Sequence, residues 1–142
     1  MKMLKKHGKE IVSFCKENNI DNIREIYDNI KDGNDDFEID NYRFIDMNQI
    51  DKVMEDELSG DDYILGCFND YFLADILEID IDVIQVMQKA EAFEAIGKLI
   101  KSMKKLPELV EEYIAADGYG HHFAHYDGEE LELSDYYVFK IN

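Results

Sequence analysis

Three histidines and an aspartate crowd into His121-His122-Phe123-Ala124-His125-Tyr126-Asp127, near the C-terminal end of a 142-residue chain. Imidazole and carboxylate are donors that zinc or iron accepts. The alternation of this segment predicts a strand over His122–Tyr126. On a strand, His121 and His125 face one way and His122 the other, so one face offers two histidines. Asp127 joins that face only if the strand runs on, and Asp127-Gly128 reads instead as a hairpin turn. The paired-cysteine and His-Glu-x-x-His signatures of metal sites are missing. Hairpin histidines bonded to carboxylates and backbone are the simpler reading. No metal or other cofactor is therefore expected; His121, His125 and Asp127 stand as the metal candidates, and a metal-dependent enzyme, if the protein is one, would be built on His121, His122 and His125.

Other reactive groups are less organised. Gly118-Tyr119-Gly120 follows a predicted helix rather than preceding one, so it offers no helix N-terminus to a phosphate. Cys15 and Cys67 fall on the apolar faces of predicted helices, where thiols are inert, and they read as two buried thiols in a reducing cytosol. Asp75 lies beside an apolar stripe and is a candidate buried acid or a partner for a lysine of 98–105. Among 33 acidic residues none is singled out as catalytic. No catalytic residue is assigned, and the reading leans away from an enzyme.

Charge is the stronger signal. With 15 basic and 33 acidic residues the chain carries a net charge of −18. Residues 32–62 hold two basic and twelve acidic side chains, and residues 106–142 hold one and nine. Direct binding to a phosphate backbone is disfavoured by repulsion, whereas a basic partner is attracted and its encounter accelerated. Carboxylates arrayed on a surface can also compete with phosphates for the Lys and Arg of a nucleic-acid channel. The expected contact residues are Glu55, Asp56, Glu57, Asp61 and Asp62, with a second group at Glu129, Glu130, Glu132 and Asp135. Tyr63, Tyr136 and Tyr137 are the candidate aromatic anchors. A charge run that serves only solubility remains the plainer alternative.

The elements that must position these groups are helical at first. Leu4, Ile11, Phe14 and Cys15 give a helix over 3–17, and Ile23, Ile26, Tyr27 and Ile30 give a second, with Asp21 as its cap. Phe37 to Ile45 alternates as a strand, or as two around an Asp-Asn bend. Asn48 caps a helix through Leu58. Ile64, Cys67, Phe68, Tyr71, Phe72 and Ile76 predict one helix over 61–77. Val83, Val86, Met87, Ala90, Phe93, Ile96, Ile100 and Met103 predict the longest, 82–104, with Gly97 allowing another helix close. Pro107 fits the first turn of a helix over 107–116. Glu129–Leu133 and Tyr136–Ile141 then complete an antiparallel meander. No internal repeat is visible. The fold class is α+β, about six helices with a small C-terminal β-meander, in a single domain over 1–142. No apolar run reaches the ~18 residues of a membrane helix, and the N-terminus lacks the apolar core of a signal peptide. A cytoplasmic protein is expected.

Asp62-Tyr63-Ile64-Leu65-Gly66-Cys67-Phe68-Asn69, Gln88 to Ala95, Ala116-Asp117-Gly118-Tyr119-Gly120-His121-His122-Phe123, and Tyr126 to Glu130 with Tyr136 to Asn142 give residues 61–142 a recognisable pattern. It resembles a family of small phage- and prophage-encoded proteins of uncharacterised function. The resemblance covers a family-like helical core and C-terminal hairpin, while residues 1–60, a variable acidic part, do not match. It implies a setting rather than a reaction, because small acidic phage proteins include anti-CRISPR and anti-restriction inhibitors. The expected function is inhibition of a host defence nuclease, a CRISPR effector or a restriction enzyme, through its basic nucleic-acid channel, in the host cytoplasm. A metal-dependent enzyme and an acidic accessory protein without catalysis are the alternatives.

Overall fold

The computed structural model describes residues 2–142, with side chains described from Gly8 onward, so that Leu4 of the expected first helix lies outside the described side chains. In chain order the elements are α1 (Lys2–Asn18), α2 (Ile23–Lys31), β1 (Asp36–Ile39), β2 (Tyr42–Asp46), α3 (Ile50–Ser59), α4 (Asp62–Gly66), α5 (Asp70–Leu77), α6 (Ile81–Lys89), α7 (Phe93–Ser102), α8 (Leu106–Asp117), α9 (Gly120–Phe123), β3 (Leu131–Leu133) and β4 (Tyr136–Lys140). The class is α+β, with more helices than the six expected. Two compact units divide the chain: residues to Ile50 join those from Asp117 onward, and Asp51–Ala116 form the second.

In the first unit the sheet runs β1-β2-β4-β3, antiparallel throughout. Its two hairpins are copies. Phe37, Glu38 and Ile39 pair with Phe44, Arg43 and Tyr42, and Leu131, Glu132 and Leu133 pair with Val138, Tyr137 and Tyr136. β2 meets β4 about a centre at Phe44 and Val138, with Tyr42 opposite Lys140 and Asp46 opposite Tyr136. Each hairpin turns through two residues, the first at positive φ (Asp40 +55°, Ser134 +56°). The sheet thus has an approximate two-fold axis. Only Glu and Tyr recur at matching places in so short a unit, which hides the repeat from the sequence. One sheet face packs Ile39, Tyr42, Phe44, Leu133, Tyr136 and Val138 against Ile11, Phe14, Cys15 and Ile26 of α1 and α2. On α2 the cap position is Asn22 rather than Asp21, and the Asn22 side chain donates to Asp40 Oδ1 at 2.7 Å instead of to its own helix.

Three of the expected elements are differently placed. His122–Tyr126 is not a strand: α9 occupies Gly120–Phe123, so the expected hairpin at Asp127-Gly128 does not form, while the turn at Ser134-Asp135 joins β3 to β4 as expected. The expected 61–77 helix stops at Gly66 and restarts under the side chain of Asn69, which accepts the N–H groups of Tyr71 (2.9 Å) and Phe72 (3.2 Å). The expected 82–104 helix breaks at Glu91, which takes φ +59° while Ala92 N–H bonds Met87 O at 2.9 Å. That is the closing bond of a Schellman cap, and it recurs from Ile20, Ile79 and Lys105 after Asn19, Glu78 and Lys104. Each break resets the helical phase. Ile84 and Leu65 are therefore buried, while Val83 (48%), Val86 (67%), Ile64 (48%) and Tyr71 (65%) are exposed.

The second unit is held by the approach of α4 to α7. A methyl group placed on Gly66 would enter the backbone of Phe93, and one placed on Gly97 would enter that of Asp62. The two glycines, one on each helix, leave the facing backbones in direct contact, as the sequence anticipates for Gly97. Pro107 lies in the first turn of α8, also as expected, with Leu109, Val110 and Tyr113 buried behind it.

Gly66→Ala and Gly97→Ala are each expected to destabilise by about 2–4 kcal/mol, because backbone cannot yield as a side chain does. Gly8→Ala, on α1 with nothing within 4 Å of the new methyl, should stabilise by about 0.5–1 kcal/mol. Urea unfolding followed by circular dichroism checks both signs. Glu91→Gly is expected to stabilise by about 0.5 kcal/mol, the left-handed strain of a non-glycine residue outweighing the added freedom of the unfolded chain. A lower urea midpoint for it would mean that the Glu91 side chain holds the cap.

Candidate acidic partner surface

The histidine cluster resolves into separate environments. Glu130 Oε1 accepts N–H bonds from Tyr119 (2.6 Å) and Gly120 (3.1 Å) and so fixes the turn into α9. Gly120 sits against the Gly128 backbone with no room for a side chain. These ties make a helical turn where the alternation predicts a strand. His122 lies edge-on to Phe123, with ring centres 4.7 Å apart. His121 and His125 are exposed. Asp127 is in the turn, where its Oδ1 accepts the Glu129 N–H at 3.0 Å. The strand face that was to bring His121 beside His125 does not form. Among the described residues no group of three or more His, Cys, Asp or Glu is placed to hold a metal ion.

Cys15 is buried, and its thiol is pushed up in pKa first by that burial and then by Asp40. Cys67 is exposed, contrary to expectation, because the helix ends beside it. Its thiol raises the Tyr63 phenol pKa through charge and a hydrogen bond. Asp75 is exposed, since the residues buried along α5 are Leu73, Ala74, Ile76 and Leu77.

The expected contact carboxylates divide between the two units. In the first, Glu129, Glu130, Glu132 and Asp135 are all exposed, with Glu130 committed to the α9 turn. Tyr137 is half-buried with its ring 5.2 Å from Tyr119. Tyr136 is not a surface anchor: it is 4% exposed and its hydroxyl donates to Asn34 O at 2.7 Å. Its place in the hairpin repeat explains this, because the equivalent Tyr42 is buried too. Burial, reinforced by Asp46, Asp35 and Asp135, pushes the Tyr136 phenol up to about 12. The strand arginine, Arg43, is clamped by both oxygens of Asp36 (2.9 and 2.7 Å) and lies over the Phe123 ring at 5.1 Å.

In the second unit, six basic residues face sixteen acidic ones. Asp61 caps α4 by accepting the Ile64 N–H at 3.1 Å. Asp62 pairs with Lys101, whose ammonium also donates to Ser59 O at 3.1 Å. These two carboxylates hold the fold. Asp56 and Glu57 are exposed on α3 and Glu55 is half-exposed. Tyr63 is 53% exposed and packs its ring edge against Phe93.

Two members of the acidic surface were not among the expected contact residues. Asp51 and Glu111 join Glu55 around a groove of about 410 Å³, with Lys52 beside them and Pro107, Val110 and Ile114 also lining it. The signal was present as Asp51 and Glu55 one turn apart on α3, and as Pro107, Val110 and Ile114 along one side of α8. Nothing in sequence sets those two helices side by side. No helix among the described residues is long and apolar enough to cross a membrane. No protein-family model, curated protein or solved structure matches the chain.

Neutral Tyr136 is favoured in the fold. Its contribution to stability is complete below about pH 10 and is lost as pH rises through about 12. Tyr136→Phe should cost about 1 kcal/mol at neutral pH through the lost hydrogen bond. It should also lose stability less steeply than wild type between those two values. Urea titrations at a series of alkaline pH values measure both, and parallel slopes would place Tyr136 in solvent.

Proposed function

We propose that the protein is a phage-type inhibitor that binds a basic, nucleic-acid-handling protein of the host, a CRISPR effector or restriction enzyme, and occupies its channel for DNA or RNA. The observation that carries this reading is the excess of surface carboxylates over the structural uses found for them. Asp61, Asp62 and Glu130 hold caps and ion pairs, but among the described residues Glu55, Asp56, Glu129 and Glu132 carry no such bond and lie at least partly exposed. Charge held at a surface in this way repels nucleic acid and attracts the lysines and arginines that bind it. The likeness of residues 61–142 to small phage proteins supplies the setting, a host cytoplasm in which defence nucleases are the basic targets. Tyr63, exposed beside Asp61 and Asp62, supplies an aromatic anchor of the kind interfaces favour.

Immobilised protein should retain a Lys/Arg-rich nuclease from a nuclease-treated bacterial lysate, release it at moderate salt, and lose it to added DNA or RNA. A variant with Glu55, Asp56, Glu129 and Glu132 changed to lysine should fold and retain nothing. Equal capture by that variant would remove the carboxylates from the contact. An empty lane at all salts would leave an acidic accessory protein.

A further inference from the structure

The groove between α3 and α8 is built from two chemistries at once. Pro107 and Ile114 present an apolar surface over the buried Val110, and Asp51, Glu55 and Glu111 stand around it as carboxylates. An anion would be repelled. A wholly apolar ligand would desolvate the carboxylates without answering their charge. The side chains that match both features are those with an apolar stem and a cationic tip, lysine and arginine. The volume of about 410 Å³ is at the small end of ligand cavities and admits more than one such side chain. Asp51, in the first turn of α3, offsets the positive end of that helix, which would otherwise oppose a cation.

Resting on the proposed function and deepening it, we infer that this groove receives lysine or arginine side chains from the partner's nucleic-acid-binding surface. Their stems lie along Pro107 and Ile114, and their charged heads lie between Glu55 and Glu111. Lys52 also lines the groove. Its positive charge at the groove opposes an incoming cation, so the groove is tuned below its greatest affinity.

The test uses the full-length protein and an Arg-Ala-Ala repeat peptide, titrated calorimetrically at low salt. Glu55→Gln with Glu111→Gln should weaken binding about ten-fold. Asp75→Asn with Glu94→Gln removes the same charge from exposed positions on α5 and α7, and should change affinity by about two-fold or less. Lys52→Gln should tighten binding about three-fold, a gain that unfolding cannot imitate. If the two double variants weaken the peptide equally, or if Lys52→Gln leaves affinity unchanged, the groove is not the seat and the general acidic field carries the binding. In that case the proposed function stands without it. If wild type does not bind the peptide, both the groove and the acidic-binding reading fall.

Discussion

The pairing of β2 with β4 is the constraint on which the first unit depends. It joins Tyr42–Asp46 to Tyr136–Lys140, strands separated by the whole of the second unit in the chain. Without it, each two-stranded hairpin would be marginal in water. With it, the two hairpins share one apolar face, and α1 and α2 have a surface on which to bury Ile11, Phe14 and Ile26. Such a pairing closes a long loop before any contact repays it, and that slows folding. The second unit is built from helices that follow one another closely in sequence. Its folding on its own, including the α4–α7 approach, shortens the effective loop that the sheet must close.

Within the second unit the governing constraint is backbone proximity. Glycines at 66 and 97 bring α4 and α7 closer than any side chain permits, and such proximity fixes register as well as distance. Lys101 then falls beside Asp62 and the Ser59 carbonyl, so the ion pair is a consequence of the helix contact. The Schellman caps serve the same end. They stop helices within ten residues and turn the chain sharply at Glu78, Glu91 and Lys104, although none of these is glycine.

Those caps also show where the sequence stops being readable. The class, the 107–116 helix, the strands around Asp40-Asn41 and the close approach at Gly97 were legible, because Pro107, alternation broken only near the Asp40-Asn41 bend, and a glycine on an apolar face each carry a local signal. The breaks at Glu91 and at Cys67–Asn69 were not. A left-handed glutamate has no signature, and apolar residues continue at helical spacing across the gap. A phase error at each break assigned Val83, Val86, Ile64 and Cys67 to the core and left out Ile84 and Leu65. The histidines were misread for a different reason: the helical turn at Gly120 is imposed by Glu130 from ten residues away, beyond the reach of any periodicity. On the candidate surface, Glu55 was legible as part of an acidic run. Glu111 was not, because its neighbour across the groove is distant in sequence.

A net charge of −18 is also a burden on the fold that carries it. Like charges on α3 repel at spacings within the screening length of about 8 Å at physiological salt, so their exposure together costs stability. Asp61, Asp62, Asp70 and Asp80 recover part of that cost by accepting backbone N–H groups or a lysine. Glu55 and Glu111 line one groove together with Lys52. Carboxylates gathered on one groove add to the self-repulsion of an acidic protein, and an incoming cation can remove part of that cost. The free energy of that removal appears as affinity for the partner and equally, by linkage, as stability of the bound protein. The arrangement that weakens the free protein is therefore the same one that favours a basic partner.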